Sequence, residues 1–196
     1  MKSSYLETIK SVDGKLFNIS YHQKRYESVL NSLGVSTCRD LSSLINPPLD
    51  GLYMCRIVYT CRDVKVTYHE YIKREIKSLK LVYDDNIDYS FKASDRENIN
   101  RLFAQRDNCD DILIVKNSLL TDISIANIAL FSDGIWYTPK DPLLKGTTRE
   151  RLLNEGKLVE KALHVEDIYN YSKIAILNAM IDFDIITQES IRKIIC

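Results

Sequence analysis

Four groups of residues in this 196-residue chain could do chemistry by type and spacing. Lys92 ends an acidic segment, DDNIDYSFK (84–92), and precedes a helical pattern. A lysine amine partly buried at such a junction can lose its proton and form an imine with a carbonyl. Asp122 follows an apolar strand within TDISIAN (121–127), where a carboxylate can hold a buried positive partner such as a protonated ring nitrogen. Gly146-Thr147-Thr148-Arg149 opens a helix, and free N–H groups beside two hydroxyls and a glycine make an anion site fit for a phosphate. In YHQKR (21–25), His22 and Arg25 lie one helical turn apart and face the same side. The arginine fork suits phosphate or carboxylate. Each group also has an ordinary reading when taken singly: a surface lysine, an Asx cap over Asp122 to Ser124, a threonine N-cap, and a solvated basic face.

The elements that must position these residues follow from periodicity and turn chemistry. Strands are expected at 5–12, 51–59, 64–71 and 79–83, with Asp13-Gly14 turning the first back into 15–19. A helix is expected over 21–33, with Tyr26, Val29, Leu30 and Leu33 on its apolar face and Gly34 as its stop. A short helix is expected over 38–45, and a longer one over 95–106. Strand 111–116 turns at Asn117-Ser118 into 119–122, and strands 127–131 and 135–138 join at Asp133-Gly134. Helix 148–155 closes at Gly156, followed by strand 158–163, helix 165–169 and strand 173–178. Strands and helices alternate without strict βαβ repetition, which implies an α+β fold in two lobes joined near 84–92.

Composition narrows the classes. Lys and Arg total 27 and Asp and Glu total 27, so no broad basic surface for nonspecific nucleic-acid binding is implied. The five cysteines (Cys38, Cys55, Cys61, Cys109, Cys196) contain no CxxC pair and no cluster at metal spacing; they read as reduced thiols of a cytoplasmic protein with no metal site. No apolar run is long enough for a signal core or a membrane span.

Together, YLETIKSVDG, YHQKRYESV, YSFK, TDISIANIALF, WYTPKDPLLKGTTRERLL and ILNAM resemble, in order, the class IV aminotransferase family of pyridoxal-phosphate enzymes. That family includes branched-chain and D-amino acid aminotransferases and 4-amino-4-deoxychorismate lyase. The succession TDxSxxN, TP and LLxGTxR is specific as a set. The resemblance implies a D-amino acid aminotransferase-like fold, with a small N-terminal lobe over 1–88 and a barrel-like C-terminal lobe over 89–196. It implies that Lys92 is the Schiff-base lysine and the proton carrier. It implies that Asp122 pairs with the pyridine nitrogen, where the family usually has glutamate. Thr147 and Thr148 fall in the phosphate cup, Arg25 on the phosphate arginine of the H-x-x-R pattern, and Asn178 at a further phosphate-side turn.

The activity so implied is transamination between an amino acid and a 2-oxo acid. The alternatives are release of pyruvate and 4-aminobenzoate from 4-amino-4-deoxychorismate, or a non-catalytic paralogue that binds pyridoxal phosphate. A homodimer is implied with it. Arg56 and Arg96 are candidates for holding a substrate carboxylate. Compared with longer members, the chain begins at the YLETIK strand without a preceding hairpin, and the segment from Gly34 to Gly51 is short. Both regions shape substrate pockets in longer members, so the resemblance assigns cofactor machinery and leaves the substrate open.

Overall fold

A computed structural model describes residues 4–196. The chain divides into two units, Met1–Lys73 with Phe91–Asp95, and Arg74–Ser90 with Arg96–Cys196.

In the first unit, β1 (Tyr5–Val12) turns into β2 (Lys15–Leu16), and α1 (Ile19–Ser32) follows. A single-turn α2 (Leu41–Leu44), β3 (Leu52–Tyr59) and β4 (Val64–Glu70) complete the order. The strands form an antiparallel sheet ordered β2-β1-β3-β4, with Tyr5 opposite Tyr59 and Val12 opposite Leu52. The Asp13-Gly14 turn has positive φ at both positions (46° and 75°), the backbone that two-residue hairpins favour. Alternation along β1 sends Tyr5, Glu7, Ile9 and Ser11 to one face, and all four are buried. Tyr5 and Ile9 pack there with Tyr26, Val29 and Leu30 of α1. Leu33, expected on that helix face, sits at the C-cap and is 39% exposed, while His22 takes a buried place one turn before Tyr26.

The second unit is built on β5 (Leu79–Tyr83), β6 (Asp111–Lys116), β7 (Leu119–Ile123), β8 (Asn127–Ser132) and β9 (Ile135–Pro139). It adds β10 (Val159–Lys161), β11 (Lys173–Asn178) and β12 (Asp182–Ile185), with helices α3 (Glu97–Phe103) and α4 (Thr147–Asn154). The sheet runs β10-β9-β8-β7-β6-β5, with β11 pairing both β8 and β12. Strand β8 is the branch point. Asn127 pairs with Asp122 of β7 and with Leu177 of β11, whereas Leu130 pairs with Tyr137 of β9 and Ile174 of β11. One edge of β8 therefore passes from β7 to β9, while β11 takes the other.

Strand β6 is buried on both faces. Ile112 and Ile114 pack with Ile99 and Leu102 of α3, and Leu113 and Val115 pack with Leu79, Leu120 and Ile176. The segment 165–169, expected as a helix, falls in a 3-10 helix over Val165–Asn170, and β12 was not signalled by periodicity. Residues 194–196 close the β5 edge: Leu79 N–H donates to Ile194 O, and Cys196 N–H donates to Leu79 O (2.7 and 2.9 Å).

Cys109 and Cys196 form a disulfide, which corrects the expectation that all five cysteines are reduced thiols. Spacing could not reveal the pair, because the two residues are 87 positions apart and meet only through the β5 edge pairing. Unfolded without reductant, the protein should take up alkylating label at Cys38, Cys55 and Cys61 only, and at all five cysteines after reduction, as read by intact mass.

Candidate active site

The second unit holds Asp122, Asn127, Thr147, Thr148 and Asn178. Asp122 lies near the end of β7 and is 5% exposed. One carboxylate oxygen accepts from Asn127 Nδ2 (2.8 Å) and the other from Leu144 N–H (2.9 Å). The same Asn127 Nδ2 donates to Leu144 O (2.8 Å). Two neighbouring side chains on the β7–β8 hairpin thus clamp both backbone groups of Leu144, two positions before the N-cap of α4. Gly146 completes the clamp, because a Cβ there would overlap Asn127 Oδ1.

Gly146, and not a threonine, occupies the N-cap of α4, and no side chain caps the helix. The first bond of the helix runs from Glu150 N–H to Gly146 O (2.9 Å). The N–H groups of Thr147, Thr148 and Arg149 precede it, which is the arrangement that receives an anion. Thr147 and Thr148 are 4% and 3% exposed. Arg149 is turned to structure: its Nη2 donates to Pro139 O (2.7 Å) and Glu160 Oε1 (2.6 Å), fixing α4 to β9 and β10. Asn178 forms a turn. Its Oδ1 accepts from Met180 and Ile181 N–H (2.9 and 3.0 Å), and its Nδ2 donates to Ile125 O in the β7–β8 turn (3.3 Å). Of the candidate substrate arginines, Arg96 donates through Nη2 to Ser124 O (2.6 Å), and Arg56 lies on β3 between Thr8 and Thr67.

The first unit holds Arg25 and Lys92. Lys92 is half-buried, and its carbonyl accepts from Leu6 N–H (2.8 Å). The next residue of β1, Glu7, is fully buried and grips Arg25 with both oxygens, from Nε (2.8 Å) and Nη2 (2.6 Å). Glu7 Oε2 also meets His22 Nδ1 (2.6 Å). The His22–Arg25 side of α1 is therefore no solvated basic face but the lid over a buried carboxylate. Glu7 was missed in the sequence, yet alternation along YLETIKSV puts it on the apolar face with Tyr5 and Ile9. A carboxylate at an inward position calls for a buried cation, and the basic run at 22–25 is the nearest one in sequence.

The buried carboxylates of Glu7 and Asp122 are driven in opposite directions. Burial alone would raise the Glu7 carboxyl, but the Arg25 charge and the bonds from His22 and Arg25 outweigh it and draw it down to about 2. Burial raises the Asp122 carboxyl to about 7; the bonds from Asn127 and Leu144 and the Arg149 charge do not offset it. Among the described residues, Asp122 is held by amide donors and not by an ion pair. No group of three or more His, Cys, Asp or Glu among the described residues is arranged to bind a metal.

Because Asp122 shifts from 3.8 to about 7 on folding, the folded state binds more protons between those values and loses stability as pH rises through that window. The ligand-free protein should melt several degrees lower at about pH 8 than at about pH 5.5, and Asp122→Asn should remove much of that difference in calorimetry. An unchanged pH dependence in the variant would contradict the assignment. Gly146→Ala should displace Asn127 and cost about 1–3 kcal/mol in urea unfolding.

The profile of the family described as "Amino-transferase class IV" matches residues 56–188. An uncharacterized protein of Haemophilus influenzae is 44% identical over 180 residues, covering 89% of this chain and 96% of that protein. A provisionally named 4-amino-4-deoxychorismate lyase from Haemophilus somnus has a crystal structure 35% identical in sequence, with a TM-score of 0.86 over 92% of this chain and 97% of its own. A Schizosaccharomyces pombe protein provisionally named as an aminodeoxychorismate lyase is 26% identical, covering 91% of this chain and 87% of its own. No helix among the described residues is long and apolar enough to cross a membrane. By the match to its profile and by these relatives, the chain belongs to the class IV aminotransferase family.

Proposed function

We propose that this protein is a pyridoxal 5′-phosphate enzyme that acts on the amino group of a small carboxylate-bearing substrate. The carrying observation is Asp122, a buried carboxylate raised to about 7 and clamped next to an uncapped helix start. The residues fit the cofactor on their own chemistry. Asp122 calls for a cation, which a protonated pyridine nitrogen provides. The first N–H groups of α4, with the Thr147 and Thr148 hydroxyls, suit a phosphate, and Gly146 leaves room for backbone where any Cβ would collide with Asn127.

When bound, pyridoxal phosphate supplies an aldehyde for amines and a ring that withdraws electrons from the amine-bearing carbon. The chain supplies the rest. Lys92 Nζ is the nucleophile that holds the cofactor and the base that takes the proton from that carbon. Asp122 keeps the ring nitrogen protonated. Thr147, Thr148 and Arg25 bind the phosphate, and Asn178 shapes the turn beside it.

Transamination and pyruvate release require the same lysine, acid and phosphate residues. Two relatives above 25% identity carry names that favour the lyase, acting on 4-amino-4-deoxychorismate to give 4-aminobenzoate and pyruvate. The lyase is the reading adopted here, ahead of the transamination that the motifs alone suggested.

Borohydride reduction of the yellow protein should fix the cofactor on Lys92 by peptide mass, and Lys92→Ala should lower turnover by roughly 10²–10⁴-fold or more. With 4-amino-4-deoxychorismate alone, pyruvate should appear without any added 2-oxo acid. A strict requirement for a 2-oxo acid, with an amino group transferred to it, would return the assignment to transamination. A colourless protein indifferent to pyridoxal phosphate would sink both.

A further inference from the structure

Glu7 is the one carboxylate buried in the first unit among the described residues, and it lies on β1 opposite Ile57, itself fully buried. A leucine would fill such a place at less cost, since a buried ion must recover its lost hydration through its partners. Both Glu7 oxygens are committed. Oε1 takes Arg25 Nε, and Oε2 takes Arg25 Nη2 and His22 Nδ1. A carboxylate that stays ionised only accepts hydrogen bonds, so His22 must carry its proton on Nδ1. The other ring nitrogen, Nε2, is then a lone pair, buried in a side chain 1% exposed and without a hydrogen-bond partner. Burial favours the neutral imidazole against the pull of Glu7, and the Arg25 and Lys92 charges add to it.

We propose that Glu7 is the positioning residue for Arg25. Its two-point grip fixes the plane of the Arg25 guanidinium for an anionic group of the cofactor, and the same carboxylate holds His22 as the Nδ1–H tautomer with Nε2 as a buried acceptor. The inference rests on the phosphate role given to Arg25 under the proposed function. A two-point bond removes rotation about the guanidinium axis, which a single contact would leave free. The fork engages the guanidinium through its Nε and Nη2 edge. The cost is that the Glu7 charge partly cancels the attraction of Arg25 for an anion. Orientation and attraction thus oppose each other, and the proposal states that orientation wins.

The test compares pyridoxal phosphate with pyridoxal, which lacks the phosphate, in absorbance titrations of cofactor-stripped wild type, Glu7→Gln and Glu7→Asp. Near-UV circular dichroism checks that each variant is folded. Wild type should prefer the phosphorylated form. Glu7→Gln should weaken pyridoxal phosphate by about 10-fold or more while leaving pyridoxal within about 2-fold, and Glu7→Asp should fall between. A ¹⁵N spectrum of the wild-type imidazole should show His22 as a neutral ring protonated on Nδ1, a readout that needs no variant to fold. Equal or tighter pyridoxal phosphate binding by Glu7→Gln, with the preference intact, would overturn the positioning role alone. So would a His22 ring protonated on Nε2. A wild type with no preference for the phosphorylated form would overturn the phosphate role of Arg25, and this inference with it.

Discussion

The buried carboxylate of Asp122 is the group on which the second unit's site depends. Its oxygens and the amide of Asn127 hold the N–H and C=O of Leu144, and that grip decides where α4 begins. Gly146 must follow without a side chain because Asn127 already fills that space. The acid and the helix start are therefore mechanically one object. Anything that moves Asp122 moves the backbone N–H groups of Thr147 and Thr148. A ligand with a cationic ring atom and a remote anion would meet two partners whose separation is set by hydrogen bonds rather than by loop flexibility, the kind of preorganisation on which tight and oriented binding rests.

The first unit solves the same problem differently. Glu7 is buried as deeply, but its cation is built in as Arg25, and its carboxyl is drawn to about 2, while that of Asp122 is pushed to about 7. Environments that drive like groups apart mark different roles. Glu7 is a permanent anion that organises its neighbours. Asp122 is an acid poised to ionise when a cation arrives, and on the proposed function that cation is the cofactor's ring nitrogen.

Much of this was legible in the sequence wherever a local rule governed. The three two-residue turns at 13–14, 117–118 and 133–134 all adopt positive φ at both positions, as Asp-Gly and Asn-Ser pairs between alternating strands suggest. The ordered motifs resemble the family to which the chain belongs. The failures share one cause, which is dependence on partners distant in sequence. His22 and Arg25 look like a solvated face until Glu7, 15 and 18 residues earlier, is laid against them. Arg149 sits in the phosphate motif but is spent on Pro139 and Glu160. Cys109 meets Cys196 only because the chain's last residues pair with β5. The threonine N-cap reading failed for a local reason: Gly146 takes the cap because the Asn127 side chain excludes anything larger.

Infrared difference spectroscopy of the Asp122 carboxyl tests the central claim most directly. In cofactor-free protein at about pH 6, below the raised value near 7, a carboxylic acid C=O band should be present in wild type and absent in Asp122→Asn. Adding pyridoxal phosphate should abolish that band as the acid ionises against the ring nitrogen. A band that persists in the complex, or one that never depends on Asp122, would contradict the account.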